Sequence, residues 1–341
     1  MEKTANPVAR VGAAQSVAGK FAMKLAAAGA IVALLVLAVL AFNDWKGRES
    51  FPRDDFSRQG VSVPAGRPEK GRILFQSRAD DGLWQIFSLD LATGARTRLT
   101  TSPADDITPS VSPDGSRIAF HSTRGGAAAV WLMDADGAKA ERLTDPRFPC
   151  FDPCWGAGGA VIVYGSNRSG RENIFALEPA TRREKQLTDS FWRSILPSVS
   201  PDGKQIVFAR GKLGWDIYLM NTDGSEVKAI TAKGGNCRPD WSPDGRRIAY
   251  VSDVADGMGD VWIMDANGGN KTRVTYGDDS YDYNPAWSPD GKWIVYETTK
   301  GSKNGPWSLA IVPAAGGTPL LLSPAGADDR MPDWAPEKDG R

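Results

Sequence analysis

The sequence predicts an all-β fold: a six-bladed β-propeller of four-stranded blades, preceded by one N-terminal transmembrane helix. Three observations lead to this prediction. A repeat with a spacing of 43–48 residues runs through residues 72–337, short β-branched segments alternate with turn motifs inside each repeat, and residues 25–42 are an uncharged apolar run. Short strands at regular spacing, without a helical period, are typical of a closed propeller.

Composition agrees with a turn-rich β protein and excludes several function classes. The 341 residues include 37 Gly and 23 Pro, and 41 basic side chains balance 41 acidic ones. A nucleic-acid-binding protein would normally carry a basic excess. Only one histidine, His121, is present. A multi-histidine zinc site is therefore excluded, and catalysis that needs a second imidazole is disfavoured.

The apolar run at residues 25–42 has the minimum length for a membrane-spanning helix. Its 18 residues are at the low end of what a helix needs to cross a hydrocarbon core about 30 Å thick. The preceding leader, residues 1–24, is basic, with Lys3, Arg10, Lys20 and Lys24 against the single acidic residue Glu2. Because the positive side of a span stays in the cytoplasm, we expect a cytoplasmic leader and an exported C-terminal part. This topology predicts a single-pass protein of the bacterial inner membrane with its propeller in the periplasm.

A cleaved signal peptide is the alternative interpretation of the same segment. Val39 and Ala41 could stand at positions −3 and −1 of a cleavage site. The length of the apolar run and of the leader before it favours an uncleaved anchor. Residues 43–71 then follow with scattered Pro and Gly and no periodicity, and are predicted to be a linker.

Three motifs mark the repeats. Each unit ends on a hydroxyl residue that follows a basic and an apolar one, at Thr100, Thr144, Thr188, Thr231, Thr275 and Ser323. A proline opens the next unit, at Pro109, Pro153, Pro197, Pro239, Pro285 and Pro332. A tight SPDG turn follows, intact from Ser112, Ser200, Ser242 and Ser288 and degenerate at Gly156 and Ala335.

Each unit reads as four strands, and the order of the motifs predicts how the ring closes. The second strand is apolar, as in Ile206-Val207-Phe208, and the third carries an aromatic column at Phe87, Trp131, Phe175, Tyr218 and Trp262. The first repeat lacks its innermost strand, while the chain ends on an unpaired one, Pro332-Asp333-Trp334. Pairing these two would close a ring of six blades and leave no open edge.

The repeats resemble the propeller units of the TolB-like family. The signature is carried by Pro239-Asp240-Trp241 with the SPDG turn after it, by Ile248-Ala249-Tyr250, and by the turn at residues 265–268. The resemblance covers residues 71–337 and implies the six-bladed propeller fold. The N-terminal α/β domain of that family is expected to be missing, since only the linker at residues 43–71 stands between the apolar run and the repeats.

Strand direction predicts two different faces. The SPDG and Asp-x-x-Gly turns lie on one, which we call the turn face. The connections between blades and between second and third strands lie on the other, the loop face, and such longer loops commonly carry binding residues. Tryptophans that recur at one repeat position are expected to pack between blades; they are Trp155, Trp241, Trp287 and Trp334.

The loop face contains three groups of candidate binding residues. Phe191, Trp192 and Arg193 combine residue types that dominate protein interfaces, although packing of the loop is an alternative role. An acidic funnel is predicted from Asp105, Asp106, Asp152, Asp282, Asp328 and Asp329, with Arg193, Arg238 and Arg330 among them. A basic ring is predicted from Arg78, Arg124, Arg168, Arg210 and Lys300, unless these residues are only the solvated edge of the repeat with their stems over apolar surface.

The three cysteines allow one local disulfide. Cys150 and Cys154 lie close in the sequence, and in an oxidising compartment we expect them to pair or to remain thiols with equal weight. Cys237 is expected to be free. We predict no metal site and no cofactor, because haem-attachment and Cys/His zinc motifs are absent.

The sequence favours a binding protein over an enzyme. It contains no GxSxG, GxxxxGK[ST] or GxGxxG motif. The predicted function is that of a non-enzymatic, membrane-anchored, exported propeller that acts as an interaction or scaffold subunit, with other membrane or periplasmic proteins as partners. The alternative is a small ligand, a sugar or Ca²⁺ in the funnel. Aspartate-dependent hydrolase or lyase chemistry is disfavoured but stays open.

Overall fold

The computed structural model describes residues 68–277, 279–299, 301 and 304–336. These residues form six antiparallel sheets of four strands each, which confirms the predicted all-β six-bladed propeller. The leader, the apolar run at residues 25–42 and the linker up to residue 67 lie outside this part of the chain. Within it, no helix has the length and apolar character needed to cross a membrane.

Blades 1 to 3 have the following strands, given from the ring centre outward. Blade 1 contains β24 (Asp329–Ala335), β1 (Arg72–Arg78), β2 (Trp84–Asp90) and β3 (Arg96–Arg98). Blade 2 contains β4 (Asp106–Val111), β5 (Arg117–Ser122), β6 (Ala129–Asp134) and β7 (Glu141–Arg142). Blade 3 contains β8 (Cys150–Trp155), β9 (Ile162–Ser166), β10 (Asn173–Glu178) and β11 (Arg183–Gln186), with a 3-10 turn at Ala157–Gly159.

Blades 4 to 6 repeat the same order. Blade 4 contains β12 (Arg193–Val199), β13 (Gln205–Gly211), β14 (Trp215–Asn221) and β15 (Lys228–Ala229). Blade 5 contains β16 (Asn236–Trp241), β17 (Arg247–Ser252), β18 (Asp260–Asp265) and β19 (Thr272–Arg273). Blade 6 contains β20 (Asp282–Trp287), β21 (Trp293–Thr298), β22 (Ser308–Pro313) and β23 (Leu320–Leu321).

The last strand of the chain closes the ring. β24 pairs antiparallel with β1, placing Ile73 opposite Trp334 and Ser77 opposite Asp329. Blade 1 therefore combines the two ends of the repeat region, as the sequence predicts. The edges that an open ring would expose are both paired.

The core lies between neighbouring blades rather than inside any one of them. Trp155, Trp241, Trp287 and Trp334 are 5–8% exposed, and each packs against the strands of the preceding blade. Their predicted role in inter-blade packing is confirmed. A large aromatic ring at this repeated position buries enough apolar area to hold two sheets face to face.

The hydroxyl residue that ends each repeat fastens the outer loop to the third strand. Its side-chain oxygen accepts a hydrogen bond of 2.7–3.0 Å from a backbone N–H near the start of that strand. The donors are the N–H groups of Ile86, Val130, Ile174, Ile217, Val261 and Leu309. Because these N–H groups are buried, the hydroxyl satisfies a donor that would otherwise lose its partner, which explains why the repeat requires Thr or Ser.

Candidate functional site

Blade 4 presents an apolar patch on the loop face. It consists of Phe191, Trp192, Leu213 and Trp215, and we call it the blade-4 patch. Phe191 is 66% exposed and Leu213 is 77% exposed, the two largest values among the exposed large hydrophobic side chains of the described residues. Phe191 and Trp192 meet edge to face, with ring centroids 5.2 Å apart.

The strand pairing of blade 4 brings the two halves of this patch together. Arg193 lies opposite Gly211, so the loop before β12 runs beside the short connection from β13 to β14. Gly214 in that connection has φ +128°, and a Cβ there would lie 2.9 Å from the backbone of Gly234. The tight connection leaves Leu213 at its tip without a place to be buried.

Arginines frame the patch. The Arg171 guanidinium lies 4.1 Å from the centroid of the Phe191 ring, and that of Arg193 lies 5.3 Å from the Trp215 ring. Arg193 also pairs with Glu172. The structure therefore brings together the three predicted interface residues, Phe191, Trp192 and Arg193, and adds Leu213 and Trp215. The sequence signal that could have identified these two residues was an apolar Leu between Lys212 and Gly214, directly before the Trp215 strand.

Three of the predicted ring arginines cover aromatic side chains of their own blades. Arg124 lies over the Phe120 and Trp131 rings. Arg168 lies over Tyr164 and Phe175, and Arg210 over Phe208 and Tyr218. These positions match the alternative interpretation, in which arginines cover apolar surface at the edge of the repeat.

Arg78 differs from these three arginines. Its side chain is 54% exposed, its guanidinium lies 4.6 Å from the centroid of the Trp84 ring, and that of Arg330 lies 5.1 Å from the same ring. Lys300 lies outside the described residues. The structure therefore does not bring the predicted basic ring together as one exposed surface.

The predicted acidic funnel is also dispersed. Asp106, Asp282 and Asp329 are each the first residue of an inner strand, and they are 0%, 4% and 0% exposed. Asp106 forms an ion pair with Arg124 and accepts a hydrogen bond of 2.6 Å from the Ser122 hydroxyl. Asp106 thus joins neighbouring strands of its own blade.

Two further aspartates of the predicted funnel accept hydrogen bonds from backbone N–H groups. Asp105 accepts a hydrogen bond of 2.9 Å from the Trp84 N–H, and Asp328 accepts one of 3.4 Å from the Trp307 N–H. Both N–H groups belong to residues that begin or precede a third strand of the neighbouring blade. Of the six predicted funnel carboxylates, only Asp152 lines the central pocket.

The central pocket is built by a repeated distortion of the inner strands. The residue before the opening proline has a positive φ of 48–54° in all six blades, at Thr108, Asp152, Leu196, Arg238, Asn284 and Met331. A β-bulge coincides with it, since an inner strand carries one residue more than its partner there. These six residues line the pocket together with a second ring formed by Ser110, Cys154, Ser198, Asp240, Ala286 and Asp333.

Burial raises the pKa of the carboxyls in this pocket. The pKa of Asp333 is raised to about 7 and that of Asp240 to about 6, while that of Asp152 is raised as well, against the opposing charge of Arg238. Asp333 accepts a hydrogen bond of 2.7 Å from the Val111 N–H. Sequence reasoning missed Asp240 and Asp333. Their signal was the variable position between the opening Pro and the packing Trp.

The central pocket is small, and its carboxylates Asp240 and Asp333 already accept hydrogen bonds from the protein. Its volume is about 150 Å³, below the roughly 300 Å³ at which small-molecule sites usually begin. Asp240 already accepts hydrogen bonds from the Ser198 hydroxyl and the Trp287 N–H. Across the described ranges, no group of three or more His, Cys, Asp or Glu side chains is placed to hold a metal ion.

Of the two alternatives for Cys150 and Cys154, a disulfide or two thiols, the structure has the thiols. Both are free thiols, and they lie at opposite ends of one strand, opposite Ser166 and Val163 respectively. Their partners on β9 are three residues apart, so the two Cα atoms lie about 10 Å from each other, beyond the roughly 7 Å limit for a disulfide. Cys237 is free, as expected. His121 lies within β5, and burial lowers its pKa to about 4.

Comparisons with known proteins agree with this architecture. The chain is 31% identical over 184 residues to an uncharacterised protein of Agrobacterium fabrum, covering 50% of this chain and 48% of that protein. It is 28% identical over 214 residues to the Tol-Pal system protein TolB of Francisella tularensis subsp. tularensis, covering 61% of this chain and 49% of that protein. The chain therefore spans about half the length of these curated relatives.

A solved structure and a family model support the same assignment. The crystal structure of TolB from Acinetobacter baumannii matches with a TM-score of 0.68 and 24% identity, covering 78% of this chain and 67% of that one. The family model of the TolB beta propeller domain matches residues 55–215 and 132–339. The family-model matches together extend over residues 55–339, more than half of the chain, so the chain belongs to the TolB beta-propeller family.

Proposed function

We propose that this chain is a non-enzymatic interaction or scaffold subunit, exported and anchored in the inner membrane, whose loop face docks another protein of an envelope complex. The observation that carries the proposal is the blade-4 patch. The family assignment supports an interaction role, because the Francisella relative is named as a component of the Tol-Pal system. The basic leader and the apolar run at residues 25–42 support the anchored, exported topology.

The patch has the residue composition of an interface centre. Phe191, Trp192 and Trp215 offer rigid aromatic surface, and Arg171 and Arg193 supply guanidinium groups at its margin. Trp, Tyr and Arg dominate the binding energy of protein interfaces, and contiguous exposed apolar patches mark interaction sites. A single exposed Leu would need no explanation, but Leu213 lies two residues before Trp215, in the connection that runs beside the Phe191 loop.

The other candidate function, binding of a sugar, small ligand or Ca²⁺ at the ring centre, finds less support. The central pocket is smaller than usual ligand sites, and the oxygens of Asp240 and Asp333 already accept hydrogen bonds from the protein. The loop-face patch is therefore the better supported site.

The test compares partner recovery with the full chain purified in detergent from its native envelope. A Phe191→Ala/Trp192→Ala double variant should lose partner association by a few kcal/mol, a hundredfold or more in affinity. Tyr276→Ala removes another exposed aromatic side chain, 51% exposed, and is the matched control that should retain the partner. If the double variant shows a native melting transition and recovers the wild-type amount of partner, the patch is not the interface.

A further inference from the structure

The seam between blades 3 and 4 lacks the tryptophan that fills most other seams. An inner-strand Trp packs against the preceding blade at Trp155, Trp241, Trp287 and Trp334. Blades 2 and 4 carry Val111 and Val199 at this position instead. Replacing an indole by an isopropyl group leaves space that the surrounding backbone fills only in part.

The same seam also lacks the turn proline that is present at other seams. The glycine of each SPDG turn lies against the turn of the preceding blade, so that a Cβ on Gly245 or Gly291 would lie 3.7 or 3.4 Å from Pro201 or Pro243. The corresponding neighbour of Gly203 is Ala157, in the degenerate turn of blade 3. The other seam without an inner-strand Trp lies beside Val111. There Gly115 still faces a proline, Pro336, and the Trp131 side chain packs into the seam.

These two replacements coincide with a pocket of about 470 Å³. Its walls are apolar and come from both blades: Val161, Val163, Ala176, Leu187, Val199 and Ile206. Ala157 and Gly203 place its mouth at the turn face, and Glu178, Arg183 and Lys185 lie at the rim. The volume falls within the range of about 300–1,000 Å³ that is usual for small-molecule sites.

We infer that this seam pocket binds a planar aromatic molecule of about indole size. The protein's other seams give the reason for this ligand class, because the equivalent space in four of them is occupied by the indole of a tryptophan. The apolar walls favour an aromatic ligand, because such a ligand would restore the packing contacts that the lining residues lack. This inference is independent of the proposed docking function, since the pocket opens on the face opposite the blade-4 patch.

Calorimetric titration of the full chain with indole tests the inference. Wild type should bind one indole per chain. Val199→Trp supplies the missing side chain, so it should reduce indole affinity at least tenfold and raise the melting temperature. Val111→Trp makes the same substitution in the other Trp-less seam and should leave indole binding unchanged.

A second pair of variants keeps the test decisive if Val199→Trp does not fold. Ala176→Leu narrows the same pocket by a smaller change and should also weaken indole binding. Trp241→Val removes the seam tryptophan between blades 4 and 5 but leaves Pro201 against Gly245, as at the Val111 seam, so the stoichiometry should stay at one indole. Absence of indole binding to wild type, or equal affinity in wild type and a folded Val199→Trp or Ala176→Leu variant, overturns the inference.

Discussion

Arg96, on the outermost strand of blade 1, donates hydrogen bonds of 2.7 and 2.8 Å to the two carboxylate oxygens of Asp329, the first residue of the closing strand β24. Asp329 is fully buried, and it also accepts a hydrogen bond of 2.6 Å from the Ser323 hydroxyl. The two residues are 233 positions apart in the sequence. A bidentate, charge-assisted pair thus joins the first and last parts of the propeller across the full width of blade 1.

Removing the arginine of this pair should destabilise the ring. Arg96→Met leaves the buried Asp329 carboxylate without its counter-ion, and we expect a loss of about 3–5 kcal/mol in the free energy of unfolding. Arg98→Met is the control on the same strand, because Arg98 pairs with the partly exposed Asp81 at 3.4 Å. It should cost about 1 kcal/mol or less. Urea unfolding of both variants measures the difference, and equal losses would contradict the assigned role of the Arg96–Asp329 pair.

Deleting residues 331–341 should open the propeller. The truncation removes most of β24, so the edge of β1 loses its partner strand and Trp334 no longer packs against blade 6. We expect a large fall in melting temperature or aggregation, measured by differential scanning calorimetry and size-exclusion chromatography. A truncated chain that remains monomeric with the wild-type melting temperature would show that β24 is not needed for closure.

The central carboxyls should make stability depend on pH. An Asp in an unfolded chain titrates near 3.9, whereas burial raises the pKa of Asp333 to about 7 in the folded protein. The folded state therefore binds more protons between about pH 4 and pH 7, and the free energy of unfolding falls as pH rises through this window. Asp333→Asn keeps an acceptor for the Val111 N–H and should be more stable than wild type at pH 8, by up to about 4 kcal/mol. If the free energy of unfolding changes with pH in the same way for both proteins from pH 4 to pH 8, the raised pKa of Asp333 is refuted.

All three cysteines should be found reduced in the protein purified without reductant. Titration with a thiol reagent in denaturant should count three thiols per chain. In the folded protein the reaction should be slow, because burial raises the pKa of Cys154 to about 12 and that of Cys237 to about 11, and Cys150 is fully buried. A count of one thiol per chain in denaturant would show that two of the cysteines form a disulfide, in contradiction to the free thiols of the structure.

The proposed topology predicts where protease can reach the chain. In intact spheroplasts, protease added outside should digest the part of the chain after residue 42, because that part is expected to be exported. A cytoplasmic marker protein should remain intact in the same sample. Protection of the propeller under these conditions would contradict the exported topology.

The sequence by itself determined the architecture, because its signals are local and repeated. The spacing of Thr100 and its equivalents, the SPDG turns and the packing tryptophans such as Trp241 each specify a turn, a clamp or an inter-blade contact at short range. Six copies of such signals, with a closing strand at Pro332-Asp333-Trp334, leave one way to bury the apolar faces.

Only the tertiary structure decided which side chains meet. The bulge before each opening proline shifts the alternation of the inner strands, so Asp106 is buried within a blade whereas Asp333 lines the central pocket. Likewise, the seam pocket depends on Ala157 and Val199, which belong to different blades and become neighbours only when the sheets pack. A repeat pattern gives each residue its place within a blade, but register shifts and contacts between blades determine which polar groups are exposed and where space remains.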